Sequence, residues 1–356
     1  MAGLIHNSSF IVHRSSFIVH RSSFHRFIVS SFQSFHRFNR FNRFIVSSLI
    51  VHRYDSPVPD LLECLSSAKN VAYVFSGGSS RCAFQVGVVE RLRALGVRPA
   101  VCIGVSAGAW NAAIVAARRE HRIRFFWKSF MRMPHVDLRN LVAELSPWRY
   151  AHMHRRNFAR FIGGALASPE ALPCYISLTR LRDRENVMLR AHDVDAFLAA
   201  NYLPPFYTRT PLIDGERYGD GGVSDNAPYE FAFQLGCDAV VLMVVKGESE
   251  GGIYKNARDI DHVIADDRVI VIRPRHRVPV GFLERRWEKL EQLMVLGDLR
   301  TREVLLGERH AETDIRAAGE APSVTFLRLL RRLSPRRARD RESAEAAPGP
   351  ATPEPR

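Results

Sequence analysis

Cysteine is scarce in this chain, and the five that occur are scattered, with no Cys-x-x-Cys pair among them. An odd set of isolated cysteines is typical of reduced thiols in a cytoplasmic compartment and argues against a disulfide framework or a zinc site. Apolar runs are short, and none reaches the roughly 20 residues that a membrane-spanning helix needs. We therefore expect a cytoplasmic protein without a metal or other cofactor, for which any membrane contact would be peripheral.

Acidic residues are missing from the first 53 residues, which carry seven arginines and thus +7 of the formal net charge of +14. Residues 327–356 hold eight arginines against four acidic residues, so the basic character belongs mainly to the two ends. A basic end can bind nucleic acid, but neither end contains an aromatic platform or a recognised nucleic-acid-binding module. We expect no nucleic-acid partner.

The N-terminal segment is of low complexity. The heptapeptide SSFIVHR occurs at residues 8–14 and again at 15–21, but its three consecutive apolar residues do not form a coiled-coil seam. The segment is rich in Arg and Ser like a transit peptide. We expect residues 1–53 to be disordered or to precede the true translation start, the alternative being an arm that binds a membrane or nucleic acid, and residues 54–70 to form a linker.

The rest of the chain is expected to consist of three segments. A globular domain is expected over residues 71–310, followed by a basic amphipathic segment over 311–333 and a disordered tail over 334–356. In the amphipathic segment, apolar residues recur at helical spacing beside arginines, a pattern shared by helices that lie on a membrane and by terminal helices packed on their own domain. These apolar residues are Phe326, Leu329, Leu330 and Leu333.

The globular part alternates between strand and helix patterns. The run NVAYVF, which ends at Phe75, and the run AVCIG are short apolar strands, each followed by a helical pattern, over 82–95 and through Ala117. This order predicts a mainly parallel α/β sheet. Further strands are expected at PCYISL, NVMLR, TPLID, DAVVLMVV and RVIVIRP, with helices at 227–235 and 281–306 and a helical stretch at 121–168 that breaks at Met133-Pro134.

One serine lies between two glycines in the stretch CIGVSAGAW, at Ser106. Gly104 and Gly108 could be ordinary turn glycines, since a Gly-x-Ser-x-Gly string is common by chance. Its position after a strand and before a helix is, however, the arrangement of a nucleophile elbow. There the hydroxyl would sit at a helix N-terminus, which favours developing negative charge.

A serine nucleophile needs a base, and two types of base are available. Histidines follow at His262, His276 and His310, but an α/β-hydrolase has several strands before its nucleophile, whereas one precedes AVCIG. The other candidate is Asp220 in YGDGGVSDNAP, either a simple Asp-Gly turn or a carboxylate that accepts the serine proton. The nearby Asp225 is expected to cap the helix that starts near residue 227.

The glycine-rich stretch FSGGSSRCAFQVG follows the first strand. Gly77 and Gly78 could direct backbone amides toward an oxyanion. A phosphate-binding P-loop is not favoured because the Gly-Lys-Ser/Thr ending is absent, and the Gly-x-Gly-x-x-Gly spacing of a dinucleotide site is not met. We refer to residues 77–81 as the oxyanion loop.

Taken together, these three motifs resemble the patatin-like phospholipases. The resemblance runs from about residue 71 to about residue 306 and includes LGCDAVVLMVV and VIRP. It implies a three-layer α/β/α sandwich with a mainly parallel central sheet, and a hydrolase of phospholipids or other lipid esters. By position, Ser106 matches the nucleophile and Asp220 the proton acceptor of a Ser–Asp dyad that uses no histidine. The remaining matched positions are Gly77, Gly78, Ser79 and Arg81 in the oxyanion loop, Gly104 and Gly108 at the nucleophile, and Gly221 and Gly222 after Asp220.

The chain departs from the family pattern in the oxyanion loop. The usual pattern is a glycine triplet followed by x-Arg-Gly, whereas Ser79 and Cys82 occupy two of the glycine positions here. If the third glycine position requires a positive φ, serine there carries about 1 kcal/mol of strain. The alternative to an active hydrolase is therefore a catalytically degenerate family member that binds lipid or has a regulatory role.

Overall fold

The computed structural model describes residues 61–134, 136–137, 147–202, 204, 209–250, 266–281 and 283–308. The predictions for the low-complexity segment 1–53, the amphipathic segment 311–333 and the tail 334–356 fall outside these residues, as do His262 and His310. The stretch 54–70, expected to be a linker, contains a short helix, α1 (Leu61–Ser67), and its Leu65 side chain is buried in the core.

Within the described residues, an eight-stranded sheet forms the centre of the fold. Its strands run along the order β5-β6-β3-β2-β1-β7-β8, and β4 pairs with β3 off this path. The pairs β3–β2, β2–β1, β1–β7 and β7–β8 are parallel, whereas β4, β5 and β6 join by antiparallel pairing. The bounds are β1 Val71–Phe75, β2 Val101–Val105, β3 Cys174–Arg180, β4 Asn186–Arg190, β5 Leu212–Ile213, β6 Glu216–Asp220, β7 Ala239–Met243 and β8 Val269–Ile272.

Helices cover both faces of this sheet, which gives the expected three-layer α/β/α arrangement. On β1, Tyr73 and Phe75 face one apolar cluster, and Ala72 and Val74 face another on the opposite side. Parallel strands buried on both faces read as continuous apolar runs, as the central strands do here. The other helices are α2 Phe84–Ala94, α3 Gly108–Ala116, α4 Ile123–Arg132, α5 Tyr150–Asn157, α6 Val194–Ala200, α7 Tyr229–Gln234 and α8 Trp287–Leu306.

Several element boundaries differ from the sequence predictions. Helix α8 begins at Trp287 and not near residue 281, and α7 begins at Tyr229 and not at residue 227. The TPLID strand is reduced to two residues, while the polar strand β6 was not predicted at all. Helix α6 was also missed, although Asp193 caps it by accepting the amide of Asp195 at 2.8 Å.

Helices α2 and α8 cross at very short range. A β-carbon on Gly87 of α2 would lie 1.7 Å from the Met294 carbonyl oxygen, and one on Gly297 of α8 would lie 2.0 Å from the Phe84 carbonyl oxygen. Glycine on both helices therefore allows their backbones to touch.

Over the described residues, no helix combines the length and the apolar character needed to cross a bilayer.

Candidate active site

Ser106 lies in a sharp turn between β2 and α3. Its φ of 52° is in the left-handed region, which a non-glycine residue adopts only under local strain. The flanking glycines make this turn possible, because a β-carbon on Gly104 would come within 2.5 Å of the Ala109 Cα. One on Gly108 would come within 2.5 Å of the Ser76 carbonyl oxygen. The turn has the geometry of a strained strand-to-helix elbow that presents its side chain outward.

Asp220 is the last residue of β6 and reaches the serine directly. Ser106 Oγ donates a hydrogen bond of 2.6 Å to Asp220 Oδ2, across 114 residues of sequence. The second carboxylate oxygen, Oδ1, accepts the Gly222 amide at 2.9 Å. Asp220 is brought to this level of the sheet because β6 pairs with β3, opposite Leu178. In the described part of the chain, the Ser106 hydroxyl thus donates its hydrogen bond to a carboxylate.

The turn after Asp220 is held from β3. Thr179 Oγ1 donates to the Asp220 carbonyl oxygen at 2.8 Å and lies 2.7 Å from Ser224 Oγ. Gly221 packs against the neighbouring strand so tightly that a β-carbon there would be 2.2 Å from the Ser177 carbonyl oxygen. The glycine after Asp220 is therefore required by close backbone approach, which goes beyond the ordinary turn preference for Asp-Gly.

The Gly77 amide does not fit the expectation that it faces an oxyanion. It donates instead to Asn226 Oδ1 at 2.9 Å, so its proton is already engaged. Gly78 packs on the loop after β7, where a β-carbon would lie 2.3 Å from Val245 Cγ2.

Arg81 anchors the oxyanion loop to a distant segment. Its Nε donates to the Val280 carbonyl oxygen at 3.1 Å, and the adjacent Ser80 hydroxyl donates to the Glu284 carbonyl oxygen at 3.0 Å. Both acceptors lie shortly before α8, about 200 residues along the chain. These bonds couple the loop to the segment that precedes α8.

Ser79 has a φ of 54°, the left-handed conformation expected for the third glycine position. We expect Ser79→Gly to raise the free energy of unfolding by about 1 kcal/mol, because glycine adopts this conformation without a Cβ clash. Urea denaturation of both proteins measures the difference. Ser80→Gly is the control, because Ser80 does not have a positive φ. This substitution removes the hydrogen bond from the Ser80 hydroxyl to the Glu284 carbonyl oxygen, so we expect it to lower the free energy of unfolding. A loss of stability in Ser79→Gly matching that of the control would contradict the strain argument.

Cys82, which stands where the family has glycine, is fully buried behind the loop. Burial raises the pKa of its thiol, and the negative charge of Asp220 raises it further. Because the thiolate is the nucleophilic form of cysteine, this pKa keeps Cys82 in its unreactive thiol form.

The sequence analysis did not single out Asn226 or Thr179, and it misjudged Asp225. Asp225 does not cap α7: its Oδ1 accepts the Ala227 amide at 2.9 Å, and the helix starts two residues later with Pro228 at the cap position. Asn226 could have been noticed because it lies within the same motif as Asp220. Thr179 had no local signal, since it belongs to a strand that meets Asp220 only in the folded chain.

Comparison with known proteins agrees with these motifs. Residues 73–233 match the family model described as patatin-like phospholipase. This segment therefore resembles patatin-like phospholipases. The match confirms the resemblance predicted from the sequence, and the sheet with helices on both faces confirms the predicted α/β/α fold.

Two curated relatives match a shorter segment. The chain is 45% identical over 60 residues to the mouse (Mus musculus) protein named 1-acylglycerol-3-phosphate O-acyltransferase Pnpla3, and 48% identical over 61 residues to the human (Homo sapiens) PNPLA3 protein of the same description. Each match covers 15% of this chain, but 14% of the mouse protein and 12% of the human one. The matched segment thus spans only 12–14% of the length of these relatives.

Among solved structures, VipD from Legionella pneumophila matches with a TM-score of 0.38 at 13% identity, over 67% of each chain. The type III effector protein ExoU matches with a TM-score of 0.32 at 13% identity, over 70% of this chain and 53% of ExoU.

Proposed function

We propose that this protein is a lipid acyl hydrolase that cleaves carboxylic esters, phospholipid esters among them, through an acyl-serine intermediate. The observation that carries the proposal is the 2.6 Å hydrogen bond from the Ser106 hydroxyl to Asp220, at a strained elbow in the segment that resembles patatin-like phospholipases. In this proposal Ser106 is the nucleophile and Asp220 the base.

In the first step Ser106 Oγ attacks the ester carbonyl carbon while its proton passes to Asp220 Oδ2. The resulting oxyanion receives a hydrogen bond from the Gly78 amide and is stabilised by the positive end of α3. The Gly77 amide keeps its bond to Asn226. The tetrahedral intermediate then collapses, and the leaving alcohol takes the proton from Asp220.

In the second step a water molecule attacks the acyl-serine carbonyl and gives its proton to Asp220. Collapse of this second intermediate breaks the bond to Ser106 Oγ, which recovers the proton from Asp220, and the fatty acid leaves. The same carboxylate thus acts as base and then as acid in each half-reaction, so no histidine is required.

The acyl-serine could also be resolved by an alcohol in place of water. The mouse and human relatives are named as acyltransferases of 1-acylglycerol-3-phosphate, which favours this lysolipid as the acceptor to test. Our proposal is hydrolysis. The alternative hypothesis is a protein without catalytic activity, a degenerate family member that binds lipid or has a regulatory role.

We expect the purified protein to release labelled fatty acid from phosphatidylcholine vesicles and to react covalently with a fluorophosphonate. The assay is run with and without 1-acylglycerol-3-phosphate, and free fatty acid is separated from the diacyl product. If the label appears in the diacyl product, the reaction is transfer and not hydrolysis. Vesicle binding without product and without fluorophosphonate labelling would show the degenerate, non-catalytic protein.

A further inference from the structure

We infer that Asn226 is a positioning residue that holds the oxyanion loop against the Ser106–Asp220 pair. The inference rests on the function proposed above. It concerns a side chain that makes no contact with the reacting hydroxyl in the proposed mechanism and that acts through the backbone of Gly77.

The carboxamide of Asn226 pairs with both polar groups of Gly77. Its Oδ1 accepts the Gly77 amide at 2.9 Å, and its Nδ2 donates to the Gly77 carbonyl oxygen at 3.4 Å. The side chain is 4% exposed, so water cannot easily substitute for either bond. Residues 149 positions apart in the chain are joined by this contact.

Gly77 and Gly222 each lie close to the Asn226 carboxamide and to one residue of the Ser106–Asp220 pair. A β-carbon on Gly77 would lie 2.7 Å from Asn226 Oδ1 and 2.9 Å from Ser106 Cβ. A β-carbon on Gly222 would lie 3.1 Å from Asn226 Oδ1 and 3.2 Å from Asp220 Oδ1. Asn226 therefore lies where the oxyanion loop, the nucleophile turn and the Asp220 turn converge.

An alternative role follows from the same bond. If the Gly77 amide were an oxyanion donor, Asn226 Oδ1 would compete with the oxyanion, and removing it would speed the reaction. The second bond favours the positioning role, because a competitor needs only an acceptor, whereas Nδ2 also fixes the Gly77 carbonyl. The two roles predict opposite changes in kcat.

The test compares Asn226→Ala and Asn226→Asp with wild type on a soluble p-nitrophenyl ester. We expect Asn226→Ala to lower kcat about 10²-fold with little change in KM, because misplacement of a catalytic group by about 1 Å costs this much. The matched control is Asn201→Ala, which removes the hydrogen bond of 2.9 Å that Asn201 Nδ2 donates to the Phe197 carbonyl oxygen at the end of α6 and should leave kcat unchanged.

Asn226→Asp gives a readout that a loss of packing would not produce. The variant keeps an acceptor for the Gly77 amide, loses the donor to the Gly77 carbonyl oxygen, and places a second carboxylate near Asp220. Like charge disfavours the ionised form of Asp220, so the acidic limb of the kcat/KM profile should move to higher pH. Because the two side chains have nearly the same shape, this variant also serves if Asn226→Ala does not fold.

An Asn226→Ala protein that folds and keeps or exceeds the wild-type kcat overturns the inference, as does a wild-type pH profile in Asn226→Asp. Either result leaves the proposed function standing if wild type is active. A wild-type protein that neither hydrolyses esters nor reacts with a fluorophosphonate overturns the proposed function, and this inference with it.

Discussion

Ser106→Ala and Asp220→Asn are each expected to lower kcat for ester hydrolysis by at least about 10³-fold. Alanine removes the atom that forms the acyl intermediate. Asparagine keeps the size of the aspartate and one of its two acceptor oxygens, but an amide does not accept the serine proton at neutral pH. Rates are measured on the same soluble ester, with fluorophosphonate labelling as an independent reading of the nucleophile.

The double variant tests whether the two residues act as one unit. If they do, Ser106→Ala combined with Asp220→Asn should be no slower than the worse single variant. Asp225→Asn is the matched control. The carboxylate of Asp225 accepts a hydrogen bond from the Ala227 amide, whereas the Ser106 hydroxyl donates to Asp220. Full activity in either single variant would remove that residue from the proposed mechanism.

The largest expected effect on stability comes from Gly87→Val at the crossing of α2 and α8. The first side-chain atom would already lie 1.7 Å from the Met294 carbonyl oxygen, so one helix must move away from the other. Overpacking of a buried contact costs about 1–3 kcal/mol, and the cost here should reach the upper end because backbone meets backbone. Chemical denaturation measures the difference in the free energy of unfolding.

The control for this prediction is Gly164→Ala. A β-carbon on Gly164 would meet nothing within 4 Å, and its φ is not in the positive range, so stability should change by less than about 0.5 kcal/mol. A Gly87→Val protein as stable as wild type would show that α2 and α8 are free to separate. In that case the pair of glycines would not explain how the helices pack.

Elements with a strong local pattern could be predicted from the sequence. The runs that form β1, β2 and β7 are apolar throughout because they are buried on both faces, and each gives a strand signal by itself. Strand β6 gives no such signal, since it carries Glu, Arg and Asp and is stabilised by pairing with β3. Its existence depends on a neighbour that local propensity does not include.

The candidate site, too, could be predicted from the sequence only in part. The motifs around Ser106 and Asp220 were visible in the sequence, and their catalytic roles stay predictions. The engagement of the Gly77 amide by Asn226 was not foreseen, because a buried asparagine in a loop resembles any turn residue until its partner is known. The positive φ of Ser79 was considered only as a condition that the family's glycine at this position suggests.

By itself the sequence determined the family resemblance, the alternation of strands and helices and the chemical groups available at each strand end, since these depend on residue type and short-range order. Only the tertiary structure decided that the Ser106 hydroxyl meets Asp220 and that Asn226 joins the oxyanion loop to the turn after Asp220. Those contacts bridge 114 and 149 residues of chain. They arise from strand pairing and close glycine packing, which no local pattern encodes.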